Sequence, residues 1–164
     1  MKRFLYCTLI AALMLAAAAP ALADVPALSG YMIDYAKAAI TCLAIGDYDR
    51  VVTGLPFSGL SPSADEWRSF AQGAFSGLSG SSPQTKDAVA YWTGRLWRVA
   101  VPVSEPNSDS VETLVLSSED GSTFTGYACA SWGSVRGEYQ SADYVSWNEE
   151  YSASTSAVVE FDQN

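Results

Sequence analysis

The 164-residue chain contains no histidine, and that absence removes most familiar catalytic chemistry. Ser-His-Asp and Cys-His nucleophile systems need an imidazole to move a proton, and His-ligated zinc, iron or copper sites need it as a donor. A Ser-Lys dyad is not spaced here: Ser82 and Lys86 are four apart, one more than the S-x-x-K pattern allows. No G-x-S-x-G nucleophile elbow, phosphate-cradling P-loop or dinucleotide glycine pattern occurs. What remains is carboxylate chemistry. Asp34, Asp87, Glu112, Glu138 and Asp143 are candidates for the two-acid arrangement of a glycoside hydrolase, which needs one carboxyl protonated and another ionised across a scissile bond. Glu112 stands out because strand pairing sets it beside Cys129; as a strand-end residue reaching solvent it needs no function. Asp47-x-Asp49 begins like a calcium loop but lacks the later oxygen ligands, and Asp47 or Asp49 as the N-cap of a short helix explains it more simply. The sequence therefore implies no metal and no cofactor.

Aromatic residues are the most suggestive binding groups. Tyr127, Trp132, Tyr139, Tyr144, Trp147 and Tyr151 fall among Ser, Asn and Asp, with only Val135 and Val145 as larger aliphatic neighbours. Rings with a polar edge suit a sugar- or peptide-binding surface; half-buried sheet packing uses the same residues. Trp67, Trp92 and Trp97 read as core, and Trp132, Tyr139, Tyr144 and Trp147 are the candidate binding residues.

Processing signals bound the folded part. Lys2 and Arg3 precede an apolar run, Phe4 to Ala19, that is too short to span a bilayer, and Ala21-Leu22-Ala23 offers small residues for cleavage. This predicts a signal peptide over 1–23, an exported (periplasmic or extracellular) product without a stable membrane anchor, and one domain over 24–164. The net charge of −9 becomes more negative by two when Lys2 and Arg3 leave, which disfavours nucleic acid as a partner. Cys42 and Cys129 survive cleavage, and an even count in an exported chain predicts a Cys42–Cys129 disulfide.

The elements that must position these groups are helical first and β afterwards. Asp24-Val25-Pro26 offers a helix start, Leu28, Met32, Tyr35, Ala39 and Cys42 follow at helical steps, and Gly46 is the stop. A short second helix opens at Asp47–Asp49 and stops before Pro56. Ser63 and Glu66 have capping-box spacing ahead of Trp67, Phe70, Ala71, Ala74, Phe75 and Leu78, with Gly77 as a C-terminal cap. Residues 79–83 read as a linker. Beyond it, runs flanking Thr93-Gly94 and Asp120-Gly121 predict two tight hairpins; the second puts Leu114, Leu116, Tyr127 and Cys129 on one face, and Val111, Val115, Phe124, Ala130 and Trp132 on the other. Further strands are expected within 138–147 and at 155–161. The fold class is α+β, with three N-terminal helices packed on one face of a four- to six-stranded antiparallel meander.

This order, with the Gly46-Asp47-Tyr48-Asp49 turn into a short second helix, resembles the NTF2-like superfamily. The resemblance implies a curved sheet around the helices and an apolar cavity at its open end; the catalytic Asp/His patterns of enzymatic members have no counterpart here. The functional expectation is a non-enzymatic binding or interaction domain with an aromatic-lined cavity or face, for a small molecule, a cell-envelope glycan, a peptide or a protein partner. Alternatives are a carboxylate-dependent glycan hydrolase and an acidic inhibitor or immunity-type protein.

Overall fold

A computed structural model describes residues 25–75, 88–104, 111–142 and 144–147. The predicted signal peptide, the Gly77 cap, the linker at 79–83, Asp87, Asp143, Tyr151 and the expected strand at 155–161 lie outside the described residues.

Among the described residues three helices come first: α1 (Tyr31–Ile45), α2 (Tyr48–Gly54) and α3 (Ala64–Ala74). α1 begins later than Asp24-Val25-Pro26 suggested, because the segment before it is occupied elsewhere. The Pro26 carbonyl accepts the Trp97 indole N–H at 2.8 Å, and the Ser29 amide donates to the Gly121 carbonyl at 2.8 Å. The predicted stop holds. Gly46 is left-handed (φ 78°), its amide donates to Leu43 and that of Asp47 to Cys42, the paired bonds of a Schellman cap. Asp47 then caps α2, accepting from the Arg50 amide at 3.3 Å. The capping box of α3 is present in both directions, Glu66 N–H to Ser63 Oγ and Ser63 N–H to Glu66 Oε2 at 2.7 Å.

Five antiparallel strands follow, β1 (Val89–Trp92), β2 (Trp97–Ser104), β3 (Val111–Ser118), β4 (Gly126–Ser131) and β5 (Tyr144–Trp147), in spatial order β4-β3-β2-β1-β5. The first four make the expected meander. β5 instead returns to the far side of β1, so β4 and β5 lie at opposite edges and run in the same direction. A fourth helix, α4 (Trp132–Ser141), makes that crossover.

Both hairpins are looser than two-residue turns. Trp92 pairs with Trp97, and Ser117 with Gly126. In the second, the Asp120 carboxylate accepts the amides of Ser122 and Thr123, each at 2.8 Å, which draws those residues out of the ladder. Phe124 is drawn away as well: its amide donates to Pro56 and its carbonyl accepts from Ser58. Leu114 therefore opposes Cys129 and Leu116 opposes Tyr127, two residues from the predicted register. A slip of two keeps every strand residue on its face, so Leu114, Leu116, Tyr127 and Cys129 still share a side. Phe124 is the exception; it packs on Phe57 in the helix-side core instead of the opposite face.

That core lies between α1–α3 and the sheet, with Met32, Ile40, Trp67, Val99, Leu114 and Phe124 fully buried. A second, smaller core of Val89, Tyr91, Ala100 and Val115 lies on the other face and is closed by Val135 of α4. The three N-terminal helices do pack on one face, as expected, but the other face carries a helix too.

The predicted disulfide is not formed: Cys42 and Cys129 are not bridged to each other. Cys129 does face the helix layer, but it lies at the sheet edge under the end of α3, its Sγ 3.8 Å from the Ala74 carbonyl and 3.5 Å from Glu112 Oε2. α1, which carries Cys42, sits chiefly over β2. The two thiols belong to the footprints of different helices.

Candidate functional site

The second face holds the polar cluster best placed for chemistry. Tyr91 on β1 lies directly opposite Arg98 on β2, so both side chains leave the sheet on the same side. α4, capped by Ser131 through the Ser134 amide, crosses above them and lowers Glu138 between the two. The Tyr91 hydroxyl donates to Glu138 Oε2 at 2.9 Å, and Arg98 Nη1 donates to the same oxygen. Burial, and then the bond to the carboxylate, push the Tyr91 hydroxyl up to about 12. The Tyr139 ring meets Tyr91 edge-on at 6.1 Å. Arg98 Nε is buried and has no hydrogen-bond partner among the described residues.

Beside this cluster is a cleft of about 300 Å³, lined by Tyr91, Trp92, Thr93, Arg98, Glu138, Ser141 and Ala142. Two of the lining hydroxyls are already committed. Thr93 Oγ1 donates to the Leu96 carbonyl, and Ser141 donates to the carbonyls of Gly137 and Glu138. The groups with capacity left for a ligand are therefore the Arg98 guanidinium and the Glu138 carboxylate, which Arg98 and Tyr91 engage through one oxygen.

The four candidate aromatics divide. Tyr139 is half-buried beside the cleft, while Trp132 opens α4 seven residues earlier, roughly 10 Å along the helix axis, and packs half-buried on the second core. Tyr144 and Trp147 are on β5, which pairs with β1 so that Tyr144 opposes Trp92 and Trp147 opposes Ala90. Of the four, the described residues place Tyr139 beside the cleft and Trp132 at the other end of α4; Tyr144 and Trp147 have only their backbone positions on the edge strand β5.

Tyr91 and Arg98 were not singled out by the sequence. A two-residue Thr93-Gly94 turn sets Tyr91 opposite Leu96, whereas the observed turn sets it opposite Arg98. A Thr93 side chain able to bond Leu96 was the available signal for the longer loop.

The remaining acids are dispersed. Asp47 is spent on its cap, and Glu112 contacts the Cys129 thiol at the sheet edge. Asp34 lies in the first turn of α1, its carboxyl pushed up by burial and held back in part by Lys37. Among the described residues no three His, Cys, Asp or Glu side chains are grouped to hold a metal ion, and no helix is long and apolar enough to cross a membrane. Comparisons with protein-family models, with curated proteins and with solved structures find no match to this chain.

Proposed function

We propose that the protein is an exported, non-enzymatic binding domain whose ligand, a cell-envelope glycan, a peptide or a segment of a protein partner, seats in the cleft between α4 and the β1–β2 hairpin. The observation that carries this reading is the convergence there of Arg98, Glu138 and Tyr91, with hydrogen-bonding capacity left on the ion pair. Polar groups fixed by one another at the mouth of a small concavity orient a ligand with little reorganisation. Hydrolysis by two carboxylates is the weaker reading, because Glu138 is the one acid among the described lining residues and it is engaged by Arg98 and Tyr91. An acidic inhibitor would bind a basic enzyme through the charged surface, and its capture would weaken steeply with salt.

Export and an NTF2-like relationship belong to the same proposal. The first is supported by residues 1–23, the second by the helix–helix–helix–sheet order over 31–131. The test is titration of the ¹⁵N-labelled protein with soluble muropeptides, neutral oligosaccharides and short peptides. Amide shifts confined to 91–98 and 138–142, and weakened in Glu138→Gln, are expected. Shifts that map to the helix-side core, or that Glu138→Gln leaves unchanged, would sink the cleft as the site.

A further inference from the structure

α4 closes the second core with very little. Val135 is its one fully buried side chain, while Trp132 and Tyr139 are half-buried. Its polar latch is Glu138, held by Arg98 and by the Tyr91 hydroxyl; the side chains of the ion pair are 36% and 46% exposed, where such a pair is worth little. The ten-residue helix also contains two glycines, Gly133 and Gly137. Neither has the positive φ that calls for glycine, and a methyl group added at either would meet nothing within 4 Å. No close approach or special backbone conformation therefore requires them, and their remaining effect is to weaken the helix, since glycine is the poorest helix former after proline. The helices of the opposite face are built differently: α1 buries seven side chains and α3 carries a full capping box.

We infer that α4 is a detachable strap, which opens locally while the five-stranded sheet and α1–α3 stay folded. Opening removes Glu138, Ser141 and Ala142 from the cleft and bares the apolar face formed by Val89, Ala100 and Val115. The strap thus exchanges a polar concavity for an apolar sheet surface, and the inference does not depend on the cleft binding any particular ligand. Segments with few buried contacts and solvent-accessible latches are those that open below the global unfolding free energy.

Hydrogen–deuterium exchange on the full chain tests this. In the wild type, amides 136–141 exchange at least 100-fold faster than those of β2 and β3. Gly133→Ala with Gly137→Ala slows exchange in α4 by about 30-fold, equivalent to roughly 1 kcal/mol for each glycine, and leaves β2 and β3 within about twofold. Glu138→Gln, which loosens the latch without touching the helix backbone, speeds α4 by about threefold. Two results would overturn the inference: α4 amides as protected as the sheet, or glycine substitutions that slow helix and sheet alike, since either means that α4 leaves only when the whole domain unfolds.

Discussion

Replacing Gly121 by alanine tests how the N-terminal segment is held. Gly121 sits at φ +74°, and a Cβ built there lies 2.4 Å from the Ala27 carbonyl oxygen, 3.0 Å from its carbon and 3.1 Å from the Leu28 Cα. All three are backbone atoms, so no side-chain rotation relieves the clash. An L-residue in the left-handed region costs about 1 kcal/mol by itself. Displacing residues 27 and 28 then breaks the Ser29–Gly121 hydrogen bond and strains the bond between the Trp97 indole and Pro26, each worth about 1 kcal/mol. The sum is about 3 kcal/mol, near 10 °C in melting temperature for a domain of this size. Gly94→Ala is the matched control, because Gly94 has φ +90° but open space around its Cβ position. It pays the backbone term alone, about 1 kcal/mol. Urea unfolding of both variants, followed by tryptophan fluorescence, measures the difference. If Gly121→Ala falls within 0.5 kcal/mol of Gly94→Ala, on the order of the usual mutational scatter, the segment 26–29 is not seated on this loop.

Three other outcomes are expected. Burial and the bond to Glu138 push the Tyr91 hydroxyl up to about 12, so absorbance at the tyrosinate band is expected to show a late component that Tyr91→Phe removes. Its raised value adds stability that is complete below the ordinary tyrosine range near 10 and is lost as pH rises toward 12, so the alkaline limb of a stability–pH curve flattens in that variant. Thr113, wholly buried in β3 with its Oγ1 unpartnered among the described residues, is predicted to gain about 1 kcal/mol on replacement by the near-isosteric valine, read as a raised urea midpoint at unchanged slope. Cys42 reacts with a thiol reagent in denaturant without prior reduction; a Cys42 that reacts only after reductant is added would instead restore the disulfide.

Where a local signal had no tertiary competitor, the sequence was readable. The Gly46 stop, the Asp47 cap and the Ser63–Glu66 box depend on a few adjacent residues, and each is found. The core-side strand face was equally legible, since the period-two pattern of Leu114, Leu116, Tyr127 and Cys129 survives any even slip. Registers were not. Asp120 and Phe124 make bonds outside the ladder, to the loop itself and to residues 56–58, and such bonds leave no trace in a pattern of apolar alternation. α4 escaped for a different reason: two glycines and a single buried valine give it almost no periodic signature. The site suffered from both faults at once. Glu138 is on the helix that was missed, and Arg98 is on the strand whose register was two residues out.

The fastening of residues 26–29 also bears on when the domain can close. The partners of that segment are Trp97 and Gly121, some seventy and ninety positions later in the chain. A polypeptide emerging from its N-terminus must hold this leading stretch unpaired until most of the sheet has been made, because contacts of such long range form late. For a chain that crosses a membrane channel unfolded, one route compatible with the proposed export, that order is an advantage. The end that leads the way is among the last parts able to lock.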